Sequence, residues 1–232
     1  MRKTPRATRP VFSFTEDKTK LFESTEITFD WVSGMSISNW QRSIENLHRE
    51  YNNSKGKAYS ILEVSTKSTD GLGKLLSAFT LKIPLSSGVK IPLECAYQGS
   101  KVFKNGGPYN DLYFREPFEV KKDIRLKESG DIIGFQLESE TSPISPSNLF
   151  YDWLYIIALR NSNLIDKLDK FEAFTDIVFN PKKSINTQAR SVAIAKTLYN
   201  RNKFFDIGIE EFQTFFKELK EKDPQLPIPL LF

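Results

Sequence analysis

The sequence predicts an α+β fold, predominantly helical, in a single domain with a few short strands. Three observations predict it. Apolar and polar residues alternate over residues 11–32, a period of two that argues strands. Apolar residues recur at helical spacing in several later stretches, without regular alternation of strand and helix. The 232 residues, 39% hydrophobic and 27% charged, suit one sizeable core in an ordinary globular chain. The domain is expected over residues 11–232, after a flexible basic tail over 1–10. The 19 phenylalanines are many for this length and argue a well-filled core or a stacking surface.

The opening "MRKTPRATRP" holds Arg2, Lys3, Arg6 and Arg9, two prolines and no acid. A plain tail is the first reading and a tail touching nucleic acid the second. "VFSFTEDKTKLFESTEITFDWV" reads as two strands, a hairpin. In "SISNWQRSIENLHREYNNS", Ser36 or Ser38 caps a helix on which Ile44, Leu47 and Tyr51 recur. "AYSILEVSTKS" is a strand centred on Ile61 and Leu62. "GLGKLLSAFTLKIPL" is a short helix or irregular segment leading to an extended one, and a helix then starts near Pro92. "NGGPYND" is a turn, and "RLKESGDIIGFQLES" ends a short helix at Gly130 and begins a strand. Apolar residues predict a helix over about 147–161, and "NLIDKLDKF" a further amphipathic one. "ARSVAIAKTLYNR" and "IEEFQTFFKELKEK" are helices, and "DPQLPIPLLF" is a proline-punctuated tail that packs back on its own domain.

The net charge of +4 permits contact with phosphates without demanding it. No apolar h-region and no apolar run of about 18 residues is present, so neither a signal peptide nor a membrane contact is expected. The single Cys95 forms no internal disulfide, which fits a reducing cytoplasm. His48 is the one histidine, so a site with two histidine ligands is excluded; no cofactor is expected, and the chemistry is metal-free or uses a loosely held hard cation.

Four clusters carry candidate chemistry. On the helix from Pro92, Glu94, Gln98 and Lys101 stand at i, i+4 and i+7 and share a face. They line a polar ligand site or form a solvated ladder. In "FYDWLYIIAL", Asp152 sits among apolar residues; it faces water, is paired, or complements the helix dipole. In "FTDIVFNPKKSINTQAR", Asp176 precedes a loop with Asn180, Lys182, Lys183, Ser184 and Asn186. Opening into a helix, that loop reads as a phosphate cradle or as an ordinary basic turn. In "MSISNWQRS", Ser38, Asn39, Trp40 and Arg42 form a polar group with a stacking ring, or simply a helix start. Glu63, Ser65 and Lys67 of "EVSTKS" fit strand alternation.

"LLSAF" at 75–79, which includes Ser77, and "VKIPLECAYQGSKVF" at 89–103 resemble the LSNF and VEHxxQxxK signatures of the NADAR (YbiA-like) superfamily. Glu94, Gln98 and Lys101 match its glutamate, glutamine and lysine. Asp176 and Asn186 take the places of a later aspartate and asparagine. The resemblance covers roughly residues 27–205. It is closest to the branch paired with DarT-family toxins, in "SIENLH", "LSAF", "ECAYQGSKVF", "GGPY", "FYDWLYI" and "AFTDIVFNPKKSIN". Ala78, Cys95 and Ile157 replace the wider family's asparagine, histidine and lysine, and Val178 and Phe179 stand near its Trp-Gly; these departures fit that branch.

The resemblance implies an ADP-ribosyl hydrolase, an antitoxin that removes ADP-ribose from guanine in DNA modified by a DarT-family toxin. ADP-ribosylated DNA would be its substrate and ADP-ribose its product. Breaking the N-glycosidic bond puts positive charge on the ribose and negative charge on the base. Glu94 and Lys101 can meet both, with Asp152 or Asp176 as a second carboxylate. A Schiff base on Lys101 ranks below direct hydrolysis. Lys182, Lys183, Ser184 and Asn186, then Arg42 and Lys67, would hold the pyrophosphate, within a ligand set that also takes in Ser38, Asn39, Ser77, Gln98 and Asn180. Trp40, Tyr97 and Tyr151 would stack on a base. The base itself must leave the duplex or come from a single strand. A binding module that sequesters ADP-ribose or modified DNA, and direct toxin contact through "PIPLLF", stay open.

Overall fold

A computed structural model describes residues 5–145, 148–181, 184 and 187–222 of the chain. In chain order the elements are β1 (Arg6–Ser13), β2 (Glu23–Asp30), α1 (Ile37–Lys55), β3 (Ile61–Glu63), α2 (Gly71–Leu75), β4 (Lys82–Pro84) and β5 (Lys90–Pro92). Next come α3 (Leu93–Gly99), β6 (Lys101–Phe103), α4 (Pro117–Val120), α5 (Arg125–Glu128), β7 (Ile132–Leu137) and β8 (Glu140–Pro143). The last are α6 (Leu149–Arg160), β9 (Ala173–Thr175), α7 (Gln188–Asn200) and α8 (Ile209–Lys222), and 3-10 turns cover Asn110–Phe114 and Ile165–Leu168. This is a mixed α and β fold. Helix is the larger share among the described residues, but nine strands in three sheets exceed the few expected. The amphipathic helix expected over 163–171 is only the second 3-10 turn.

The chain divides into two compact units, Met1–Ser77 with Leu164–Asn202, and Ala78–Asn163 with Lys203–Phe232. The first holds a four-stranded sheet ordered β2-β1-β9-β3. β1 and β2 pair antiparallel from Arg6 opposite Asp30 to Ser13 opposite Glu23. β9 runs antiparallel to β1 and parallel to β3. The flexible tail expected over 1–10 is thus corrected for residues 6–10, which are strand; residues 1–4 lie outside the described residues. Pairing along all of β2 supplies the backbone bonds that a tail would lack. Ser36, not Ser38, caps α1, its hydroxyl accepting from the Asn39 N–H at 3.2 Å. Gly56 closes that helix at φ 66°, where a side chain would be strained. Ile44, Leu47 and Tyr51 of α1 pack with Val11, Ile27, Phe29, Ala173 and Ile177. Burying each valine, leucine, isoleucine or phenylalanine of this cluster stabilises by about 1.5–3 kcal/mol.

The second unit holds the β4–β5 hairpin and the sheet β6-β7-β8. Helix α6 is apolar on every side, and all but two of its residues, Ile157 and Arg160, are buried, as the run of apolar residues predicts. It packs against α3 and β4. Among the described residues no helix is long and apolar enough to cross a membrane. The tail over 223–232 lies outside the described residues.

Candidate active site

Six of the seven residues of α3 are buried, Glu94 and Gln98 among them. The i, i+4 spacing brings these two together: Gln98 Nε2 donates to Glu94 Oε1 at 2.8 Å. Glu94 Oε1 also lies 3.3 Å from the Nζ of Lys121, a residue that sequence reasoning missed. Lys121 follows α4 in an exposed-looking "VKKD", and no local spacing links it to Glu94. A buried carboxylate is thus held by an amide and an ammonium, the pairing that burial demands.

Lys101 is not on the helix. α3 stops at Gly99, and Lys101 opens β6, opposite Phe135 of β7. The helix ends there for two reasons. Gly99 is a poor helix former, and its bare Cα lets the Tyr113 ring close in, where a Cβ would stand 2.5 Å from Cε1. The backbone of Ser100 and Lys101 then pairs with β7. Lys101 nonetheless stays beside the site. Its Nζ lies 5.0 Å from the centroid of Tyr97, between the attraction of Glu94 and the repulsion of Lys121. Burial lowers its pKa to about 8. Tyr97 stacks on Phe135 at 5.6 Å and meets Tyr151 edge-on at 5.1 Å. Two of the aromatic candidates therefore stand together, Tyr97 of them beside Lys101. Asp152 is fully buried in the first turn of α6. Cys95 Sγ donates to the Arg115 carbonyl at 3.2 Å, and burial pushes the thiol up to about 11, with Glu94 and Glu116 adding to the rise.

The first unit has its own buried polar network. Glu63 Oε1 accepts from Ser65 Oγ at 2.6 Å and from the Ile177 N–H at 2.9 Å. Its Oε2 is 2.7 Å from Thr175 Oγ1, which is 2.8 Å from His48 Nε2. With Glu63 ionised, His48 donates to Thr175 and Thr175 to Glu63; with Glu63 protonated, both bonds reverse. Burial, then the charge of Asp176, raises the Glu63 carboxyl to about 8. Burial lowers His48 to about 4. Asp176 accepts from the N–H of Phe179 at 3.2 Å, and at 3.3 Å from Thr187 Oγ1 and from the N–H and Nε2 of Gln188. It thereby ties β9 to the start of α7, and burial raises its pKa.

The family model described as "DarT1-associated NADAR antitoxin" matches residues 7–226. The chain belongs to that family. A search of curated proteins finds no match. Membership associates this NADAR antitoxin with a DarT1 toxin.

The other candidates of the NADAR antitoxin lie in the first unit. Ser38 and Asn39 serve the start of α1: Ser38 Oγ lies 3.1 Å from Ser36 Oγ, and Asn39 Nδ2 donates to the Ser33 carbonyl at 2.9 Å. Trp40 is partly buried against the core and meets Trp31 edge-on at 5.3 Å. Arg42 is exposed, Lys67 is partly so, and Ser77 is buried. The Asn180 carbonyl accepts from the Ser184 N–H at 3.0 Å, closing a turn. Lys182, Lys183 and Asn186 lie outside the described residues. Arg9, read as part of the tail, instead points its guanidinium over Trp31, 5.6 Å from the ring centroid, and interacts with Asp176 and Glu26.

Proposed function

We propose that this NADAR antitoxin hydrolyses the N-glycosidic bond between ribose and guanine in DNA modified by its toxin, releasing ADP-ribose and restoring the base. The observation that carries the reading is the buried Glu94 carboxylate, 3.3 Å from Lys121 and beside the half-buried Lys101. Glu94 takes a proton from water, whose oxygen bonds to the anomeric carbon of the ribose. The C–N bond breaks, and its electron pair leaves with guanine. A Lys101 ammonium returns a proton to that nitrogen. Gln98 holds Glu94 in place, and Tyr97 and Tyr151 offer rings to a base.

A second reading is favoured by the lowered pKa of Lys101, which leaves part of it as free amine near neutral pH. The amine would bond to the anomeric carbon as the C–N bond to guanine breaks, and its proton would pass to the departing guanine nitrogen; the glycosylamine left on Lys101 would then break its ring C–O bond to give an open-chain iminium that water resolves. Borohydride would trap ADP-ribose on Lys101 in that case only.

The deciding experiment incubates the protein, without added metal, with guanine-ADP-ribosylated DNA. Release of ADP-ribose and unmodified DNA at catalytic protein levels supports the hydrolase. Tight binding without release supports a sequestering module. Neither release nor binding leaves direct contact with the toxin.

A further inference from the structure

We propose that the stacked rings of Phe79 and Phe118 form a platform for the nucleobase next to the modified guanine in a single DNA strand. The proposal rests on the hydrolase reading and names how that site holds its strand. Phe118, the second residue of α4, is 66% exposed. It lies nearly parallel to Phe79, with ring centroids 4.8 Å apart and planes inclined by 23°. What sets Phe118 apart from other exposed rings is this parallel stack, and a flat pair suits a flat ligand.

The platform is joined to the carboxylate by one side chain. The Nζ of Lys121 lies 4.9 Å from the Phe79 centroid and 3.3 Å from Glu94 Oε1. A base on the rings therefore neighbours a nucleotide whose glycosidic bond meets Glu94. Charge around the rings is balanced: Glu116 and Glu119 flank Phe118, Lys121 and Lys122 follow, and Lys122 pairs with Glu119 at 2.7 Å. A groove that tracks phosphates carries net positive charge; this surface offers stacking, which every base can use. Phe114 is 67% exposed and contacts Tyr113, so it serves as a control outside the stack.

The test compares a mononucleotide carrying ADP-ribose on guanine with a single-stranded oligonucleotide carrying the same group. Phe118→Ala is expected to raise the KM of the oligonucleotide relative to the mononucleotide about ten-fold. Phe118→Trp restores the ratio, and Phe114→Ala leaves it unchanged. An unchanged ratio in Phe118→Ala overturns the platform. Weaker capture of the DarT1 toxin by Phe118→Ala, at an unchanged ratio, also overturns it and assigns the rings to a protein partner. If the wild-type protein releases ADP-ribose from neither substrate, the hydrolase reading fails on its own. Affinity for the unmodified oligonucleotide then reads the platform: about ten-fold weaker binding by Phe118→Ala upholds it, and equal binding overturns it.

Discussion

The Nζ of Lys121 stands 3.3 Å from Oε1 of Glu94, the same oxygen that accepts the Gln98 amide at 2.8 Å. One buried oxygen is thus shared by a neighbour on its own helix and a cation from a different element. On the proposed hydrolysis, losing the negative charge there is expected to change the chemistry far more than the packing.

Glu94→Gln keeps size and shape. ADP-ribose release is expected to fall by about a hundred-fold or more. The melting temperature should stay within about 4 °C of the wild type, roughly 1 kcal/mol for a chain of this length. Turnover and thermal melts of the two proteins check it, and a fully active variant removes Glu94 from the mechanism.

Burial lowers the pKa of Lys101 to about 8, and on the proposed hydrolysis this is expected to set a limb in the pH profile. A cation that protonates the leaving base is present below that pH and lost above it. Activity is therefore expected to fall as pH rises through about 8. Lys101→Arg stays charged and should lose this limb. Initial rates across the range decide; a limb that rises toward 8 makes Lys101 the nucleophile instead.

Glu63 and His48 link stability to pH with opposite signs. The Glu63 pKa is raised from 4.5 to about 8, so its contribution is complete below 4.5 and is lost as pH rises toward 8. The His48 pKa is lowered from 6.5 to about 4, so its contribution is complete above 6.5 and is lost as pH falls toward 4. The two slopes oppose each other between 4.5 and 6.5, and Glu63 acts without His48 from 6.5 to about 8. Urea midpoints of Glu63→Gln should lack the loss of stability over that upper window. A variant with the wild-type slope refutes the assignment.

Lys196 is buried, and its Nζ donates to the carbonyls of Leu168 at 2.7 Å, Phe171 at 2.8 Å and Asp169 at 3.3 Å. Lys196→Met fills similar space but leaves those oxygens without this donor. A loss of roughly 3 kcal/mol is expected. Denaturant unfolding measures it, and wild-type stability would show that water replaces the ammonium at no cost.

What the residues revealed follows from how local each relationship is. Glu94 and Gln98 were legible because i, i+4 geometry is internal to one helix. Lys101 was assigned to that face because its spacing fits, but Gly99 and pairing with β7 end the helix first. Lys121 meets Glu94, and Phe118 meets Phe79, only through tertiary folding, and nothing in "PFEVKKD" points to Glu94. Helices α1, α6 and α7 were legible from apolar spacing and capping. β1 was legible only from residue 11, because an inward-facing arginine, Arg9, interrupts the alternation that marks a strand. The Glu63–Thr175–His48 chain unites residues from three elements, and each alone looks ordinary.

Strand β9 lies between β1 and β3 in the sheet, although it is made long after both. A ribosome must therefore carry β1 and β3 unjoined until codon 175 has been read. A message broken before that point yields a peptide that cannot close this four-stranded sheet.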